Sequence, residues 1–224
     1  MTTLILWVAA ASMTLCTWPG FSGPAEAGEV NAVVRDQRDQ PVEDAVVLAV
    51  PESGAGALPA KPGREEVDQI NKEFVPHVKP VLVGSPVYFP NKDDIRHHVY
   101  SFSAAKTFEL PLYVGTPAKP VVFDRPGVVT VGCNIHDWMI GYIYVAETPY
   151  FGKTGRNGKV GLQNLPPGPY AVLVWHPRME GSEESTRRSV GIDRSGAVDV
   201  AWQLTLRQEL RARRAPVPGQ RGYR

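Results

Sequence analysis

Residues 128–146 read VVTVGCNIHDWMIGYIYVA, and the middle of this stretch decides how the rest is read. Val128 to Gly132 and Ile140 to Ala146 are rich in β-branched and aromatic side chains, which predicts two strands. Between them, GCNIHDWM at 132–139 predicts a connecting loop carrying the thiol of Cys133, the imidazole of His136 and the thioether of Met139. No long helical period appears elsewhere. The 21 glycines and 21 prolines fall between short runs rich in Val, Tyr and Phe, so the chain is expected to be all-β.

Working outward, residues 65–147 form the densest β pattern. Val81 to Val83 and Val87 to Phe89 flank a turn at Gly84-Ser85-Pro86, and Val99 to Ser103 is another strand. Pro120 to Phe123 is expected to meet Val128 to Gly132 across a turn at Pro126-Gly127. Residues 51–64, PESGAGALPAKPGR, have linker composition. Residues 28–50 read as two strands joined by a polar turn near Arg38-Asp39-Gln40. Residues 148–206 return to that sparser style, with a hairpin signal at Arg156-Asn157-Gly158, a turn at Pro166-Pro167-Gly168, a strand from Tyr170 to Trp175 and a last strand from Val198. The tail, 207–224, is basic and reads as disordered and solvated, with a membrane-surface or partner contact the lesser option. No internal repeat or Gly-rich phosphate loop is present. A formal net charge of +1 gives no whole-chain field directed at nucleic acid or an acidic membrane.

Residues 1–27 read as an export signal. Leu4 to Leu15 is an apolar core too short to span a bilayer, and Ala25-Glu26-Ala27 is a small-x-small cleavage site, although no Lys or Arg precedes the core. Cleavage after Ala27 removes Cys16 and leaves no transmembrane segment. The mature chain then holds one cysteine, Cys133, in an oxidising compartment where it has no partner in its own chain. Such a thiol is either buried and inert or held as a thiolate by a metal.

His136 and Met139 favour the metal. A further ligand is expected from another loop at the same end of the sheet, and NKDDIRHHV at 91–99 offers His97, with His98 the alternative. Alternate strand residues face opposite sides, so the two are not expected to bind one ion. One thiolate and two imidazoles with a weak axial thioether is the set that holds copper for electron transfer, whereas zinc more often takes several cysteines or a histidine–carboxylate set.

These residues resemble a known family. FVPHVKPVLVGSPVYFPNKDDIRHHVYSF, from Phe74, looks like the first half of the cupredoxins, the small blue-copper β-sandwiches, and it carries their N-x-D-x-x-x-H-x-V pattern. The C-x2-H-x2-M spacing is similar to the short ligand loop of amicyanins. The resemblance implies a Greek-key sandwich with one type 1 copper held by His97, Cys133, His136 and axial Met139. It departs from the amicyanin pattern at Ile135 and Asp137, where prolines are usual, and at His98, where asparagine is common. His77 precedes a strand running away from the metal end and is a second-tier candidate, as is His98. Asp93 and Asp94 are assigned to fixing the loop, with tuning of the potential the alternative. Trp138 either shields the metal or presents a docking face, and His176 reads as structural.

The outer blocks resemble a second, smaller sandwich. GEVNAVVRDQRDQPVEDAVVLAV and KTGRNGKVGLQNLPPGPYAVLVWHP look like a carboxypeptidase regulatory-like or transthyretin-like, Ig-type β-sandwich interrupted by the copper domain. Together the resemblances imply an exported, periplasmic electron carrier rather than an enzyme. The architecture is similar to methylamine-utilisation proteins, which implies by analogy a redox partner protein, a dehydrogenase or a cytochrome. Two other readings use the same residues or none of them: copper storage and delivery, and a cell-envelope interaction module without a redox role.

Overall fold

The structure is a computed structural model that describes residues 27–52, 61–194 and 196–208. Its regular secondary structure, among the described residues, is almost entirely strand. In chain order these are β1 (Gly28–Asp36), β2 (Val46–Pro51), β3 (Glu65–Glu66), β4 (Asp68–Ile70), β5 (Glu73–Val75), β6 (Val78–Leu82) and β7 (Ser85–Tyr88). Then come β8 (His97–Ser103), β9 (Lys106–Tyr113), β10 (Val121–Phe123), β11 (Gly127–Cys133) and β12 (His136–Ala146). The last are β13 (Phe151–Lys153), β14 (Lys159–Leu165), β15 (Gly168–Trp175), β16 (Arg188–Ile192) and β17 (Ala197–Leu204). A single 3₁₀ turn, Glu183–Thr186, precedes β16. Among the described residues no helix is long and apolar enough to cross a membrane.

The first and last strands share one core. β14, β1 and β17 form a sheet that faces a second sheet ordered β13-β2-β15-β16. β1 alternates buried and half-buried positions, so Val30, Ala32 and Val34 point inward, as period-two geometry requires. They pack with Val47 and Ala49 of β2, Tyr170, Val172 and Val174 of β15 and Trp202 of β17.

Residues 65–146 build the second sandwich. A five-stranded sheet, β6-β12-β11-β8-β9, faces a smaller sheet, β10-β7-β3. Val81, Val87, Phe89, Val99, Phe123, Val129, Val131 and Ile143 fill the space between them. β4 and β5 form a short hairpin beside this core, through which Phe74 enters it.

The two sandwiches share a seam. β2 is apolar on both faces because Val46 and Leu48 turn away from the first core and meet Val78, Tyr144 and Ala146 on the outer face of the five-stranded sheet. Trp175 lies against the same cluster. Each large apolar side chain buried this way contributes about 1.5–3 kcal/mol, against about 0–1 kcal/mol for an exposed ion pair. Apolar burial therefore holds the seam.

Three expectations are corrected. Val121–Phe123 pairs with β7 rather than with β11, whose partners are β12 and β8. Sequence neighbours in a sandwich commonly lie in opposite sheets, and the Pro126-Gly127 turn carries the chain across the core. For the same reason Asn157-Gly158 is not a hairpin: β13 pairs with β2 and β14 with β1, so this turn switches sheets. Finally, the second strand of the opening stretch starts at His136 rather than Ile140. The expected export signal through Glu26 with Cys16, residues 53–60 of the expected linker and residues 209–224 of the tail lie outside the described residues.

Candidate metal centre

Three elements meet at one end of the second sandwich. β11 ends at Cys133, β12 starts at His136, and the chain reverses over Asn134-Ile135 with Cys133 opposite His136. β8 starts at His97 and pairs with β11 through Val99 opposite Cys133. The inner face of the sheet takes Val129, Val131 and Cys133 in strict alternation. On β8 the inward set is His97, Val99 and Ser101.

A strand of period two would send His136 and Met139 to opposite faces, because they are three residues apart. The pairing jumps from Gly132 opposite Ile140 to Cys133 opposite His136, so Asp137, Trp138 and Met139 form a bulge on β12. Extra unpaired residues re-aim the side chains that follow. Both His136 (9% exposed) and Met139 (1%) consequently lie inward.

The donor atoms converge. Cys133 Sγ lies 3.7 Å from Nδ1 of His97 and 3.6 Å from Nδ1 of His136. One ligand atom from each of the three falls within 4.8 Å of the others. Metal bonds of about 2.3 Å to sulfur and about 2.0 Å to nitrogen at tetrahedral to trigonal angles separate these donors by about 3.5–3.7 Å, so both sulfur–nitrogen distances fit one small ion. Met139 belongs to the same buried cluster as Cys133 and adds a soft thioether there. Cys133 is a free, buried thiol.

The approach of His97 is braced from behind. Asn91 is buried and donates its side-chain amide to Ile95 O (2.8 Å) and Tyr113 O (2.9 Å), while its own Oδ1 accepts from the Asp93 amide (3.0 Å). This pins both ends of the loop entering β8. Asp93 Oδ2 lies 2.7 Å from His97 Nε2. Burial works to raise the Asp93 carboxyl, but the Lys72 amide, His97 and the Asn71 amide outweigh it and hold it below the usual carboxylate range. His136 is also held below its ordinary value. Burial depresses it, and the nearby His97 and Lys72 add to the effect, so its neutral, ligating form is favoured.

The remaining candidates separate clearly. His98 faces the opposite side of β8, with its ring edge-on to Tyr100 and Nε2 3.0 Å from Glu109 Oε1 without hydrogen-bond alignment. His77 lies opposite Tyr142, whose amide donates to its carbonyl and whose ring it meets edge-on at 5.4 Å. Tyr142 pairs with Thr130, three residues or about 10 Å along β11 from Cys133, and His77 is not among the converging donors. Trp138 is tilted against His136 at 5.3 Å between ring centroids. With Met139, His77, Tyr142, His176 and Asp44, it lines a cleft of about 1020 Å³ to which both sandwiches contribute. Asn71 and Lys72 escaped the sequence reading, and Asn91 entered it only as the first position of the N-x-D-x-x-x-H-x-V pattern. The available signal for the turn was Asn71, a residue type that tolerates the left-handed conformation.

No family model matches the chain, and no curated protein matches it. Among solved structures it is similar to a purple cupredoxin from Nitrosopumilus maritimus at 22% identity, covering 38% of this chain and 100% of that one, with a TM-score of 0.33. It is similar to a copper-containing nitrite reductase from Thermus scotoductus SA-01 at 27% identity, covering 53% of this chain and 28% of that one, with a TM-score of 0.36. A variant of amicyanin in its Cu(I) form matches at 19% identity over 38% of this chain and 83% of that one, with a TM-score of 0.35.

Proposed function

We propose that this chain is a type 1 copper protein that carries single electrons between exported redox partners. One observation carries the reading: a lone buried thiol is flanked at 3.6 and 3.7 Å by two imidazole Nδ1 atoms on the inner face of a β-sheet. Cys133, His97 and His136 would hold the metal as a trigonal set, with Met139 axial. Copper, when bound, supplies a one-electron couple in which sulfur favours the reduced ion and imidazole the oxidised one.

The residues around the set suit transfer. The Cys133, His97 and Met139 side chains exclude water, and strands on both sides restrict their movement, so little rearrangement accompanies a change of charge. His136 lies nearest to solvent of the four, and Trp138 touches its ring, which makes this edge the electron's exit. Around it, Ile135 is 48% exposed and offers an apolar contact. We place the partner, an amine dehydrogenase or a cytochrome by analogy, on this side. We also read residues 65–147 as a copper domain inserted into a regulatory-like sandwich formed by 28–50 and 148–206, with export directed by residues 1–27. Transfer rather than turnover is the proposed role. Nitrite reduction is therefore expected to be absent when the copper-loaded protein is assayed with a chemical reductant.

The test is a copper titration of the metal-free mature protein. One equivalent of Cu(II) is expected to produce an intense visible thiolate-to-copper band, with reversible electrochemistry, and Cys133→Ser is expected to abolish the band. A colourless, readily exchanging Cu(I) site would instead support storage or delivery. A protein that binds no copper and gains no stability from it would support an interaction module.

A further inference from the structure

The carboxylate of Asp93 does more than a loop brace requires. We infer that Asp93 is a positioning residue for the metal centre, fixing His97 in the tautomer whose Nδ1 lone pair faces Cys133. This rests on the copper reading above and adds to it what sets the donor strength of one ligand.

The geometry leaves little freedom. His97 is fully buried, and its two ring nitrogens face different groups: Nε2 lies 2.7 Å from Asp93 Oδ2, and Nδ1 lies 3.7 Å from Cys133 Sγ. A carboxylate accepts hydrogen bonds, so in the neutral ring Nε2 carries the proton toward Asp93 and Nδ1 keeps its lone pair. The opposite tautomer would set a nitrogen lone pair against a carboxylate oxygen and an N–H against the metal position. Ring orientation and the tautomer of the neutral imidazole are thus set before any metal arrives.

The carboxylate itself cannot swing away. Asp93 Oδ1 accepts from the Asn71 amide at 2.6 Å, and Oδ2 accepts from the Lys72 amide at 2.9 Å. Both amides belong to the turn between β4 and β5, where Asn71 and Lys72 adopt φ of 55° and 59°. Such left-handed pairs suit the tight hairpin turn that aims two successive N–H groups at one acceptor. The hairpin turn therefore serves as an anchor for the carboxylate, and the carboxylate for His97. A hydrogen-bonded carboxylate behind a ligating imidazole raises its basicity and adds negative charge near the ion, which favours the more highly charged Cu(II) state and lowers the potential.

Two measurements test this. In metal-free wild-type protein, ring ¹⁵N shifts are expected to show His97 protonated at Nε2 alone; protonation at Nδ1, or exchange between both, overturns the inference. In copper-loaded protein, Asp93→Asn is expected to weaken Cu(II) binding about 10- to 100-fold and to raise the potential, with Asp93→Glu restoring the potential in part. A D93N protein that keeps the wild-type potential and Cu(II) affinity, and loses only thermal stability, makes Asp93 a loop brace and overturns the inference. Should D93N not fold, the wild-type tautomer measurement decides alone. A wild type that binds no copper sinks the copper reading while the tautomer result still judges Asp93.

Discussion

Met139 shows how one side chain serves packing and chemistry together. It is 1% exposed within the second core, so its volume is needed there whatever its sulfur does. Met139→Leu conserves that volume and is expected to cost less than about 1.5 kcal/mol in denaturant unfolding. On the copper reading it also removes the proposed axial donor, so the potential should shift in voltammetry of the loaded protein. An unchanged potential would remove Met139 from the site. The residue types of the cluster were legible in the sequence because Cys133, His136 and Met139 stand so close together. Why both His136 and Met139 point inward was not legible, since alternation predicts opposite faces for residues three apart. Pairing register resolves this, and no single strand's sequence reveals its register.

At the scale of elements, β12 is the organiser: it supplies His136 and Met139 at one end and the seam residues Tyr144 and Ala146 at the other. Gly141 sits between these roles. A Cβ there would lie 2.8 Å from Phe74 Cβ and 3.2 Å from Val131 Cγ2, so β12 can approach the β4–β5 hairpin only without a side chain. Gly141→Ala is expected to destabilise by about 1–3 kcal/mol, read as a lower urea midpoint; an unshifted midpoint would show that the hairpin yields freely. Strand positions were mostly readable from runs such as Tyr170 to Trp175. β9 was not, because Pro111 interrupts KTFELPLY; it is tolerated since β9 lies at the edge of its sheet. Partner choice was the least readable level. The stretch from Val121 to Val131 looks like a hairpin, yet burial of Phe123 and Val129 in one core from opposite sheets satisfies both strands better.

Across the whole molecule, the seam couples the two sandwiches through apolar burial and a part-buried polar contact. Tyr144 donates to Glu183 Oε1 at 2.5 Å. Burial raises the Glu183 carboxyl above its ordinary value, the Tyr144 hydrogen bond opposes this, and the neighbouring Glu184 and Glu147 add to it. The folded state therefore binds this proton more tightly than the unfolded chain. The resulting stability is fully present below the ordinary carboxylate pKa, about 4.3, and is lost as pH rises through the raised folded value. Glu183→Gln cannot titrate, so its thermal stability relative to wild type should improve across that window; parallel pH curves would contradict this. Tyr144→Phe leaves the part-buried carboxyl without its donor and is expected to cost about 1–3 kcal/mol by denaturant unfolding.

The central claim is that one copper ion sits among Cys133, His97 and His136. Copper-edge X-ray absorption of the loaded mature protein tests it most directly. The account predicts one sulfur and two imidazole nitrogens at about 2.0–2.3 Å, with the sulfur contribution lost in Cys133→Ser. A copper shell of nitrogen and oxygen alone in the wild-type protein would contradict it.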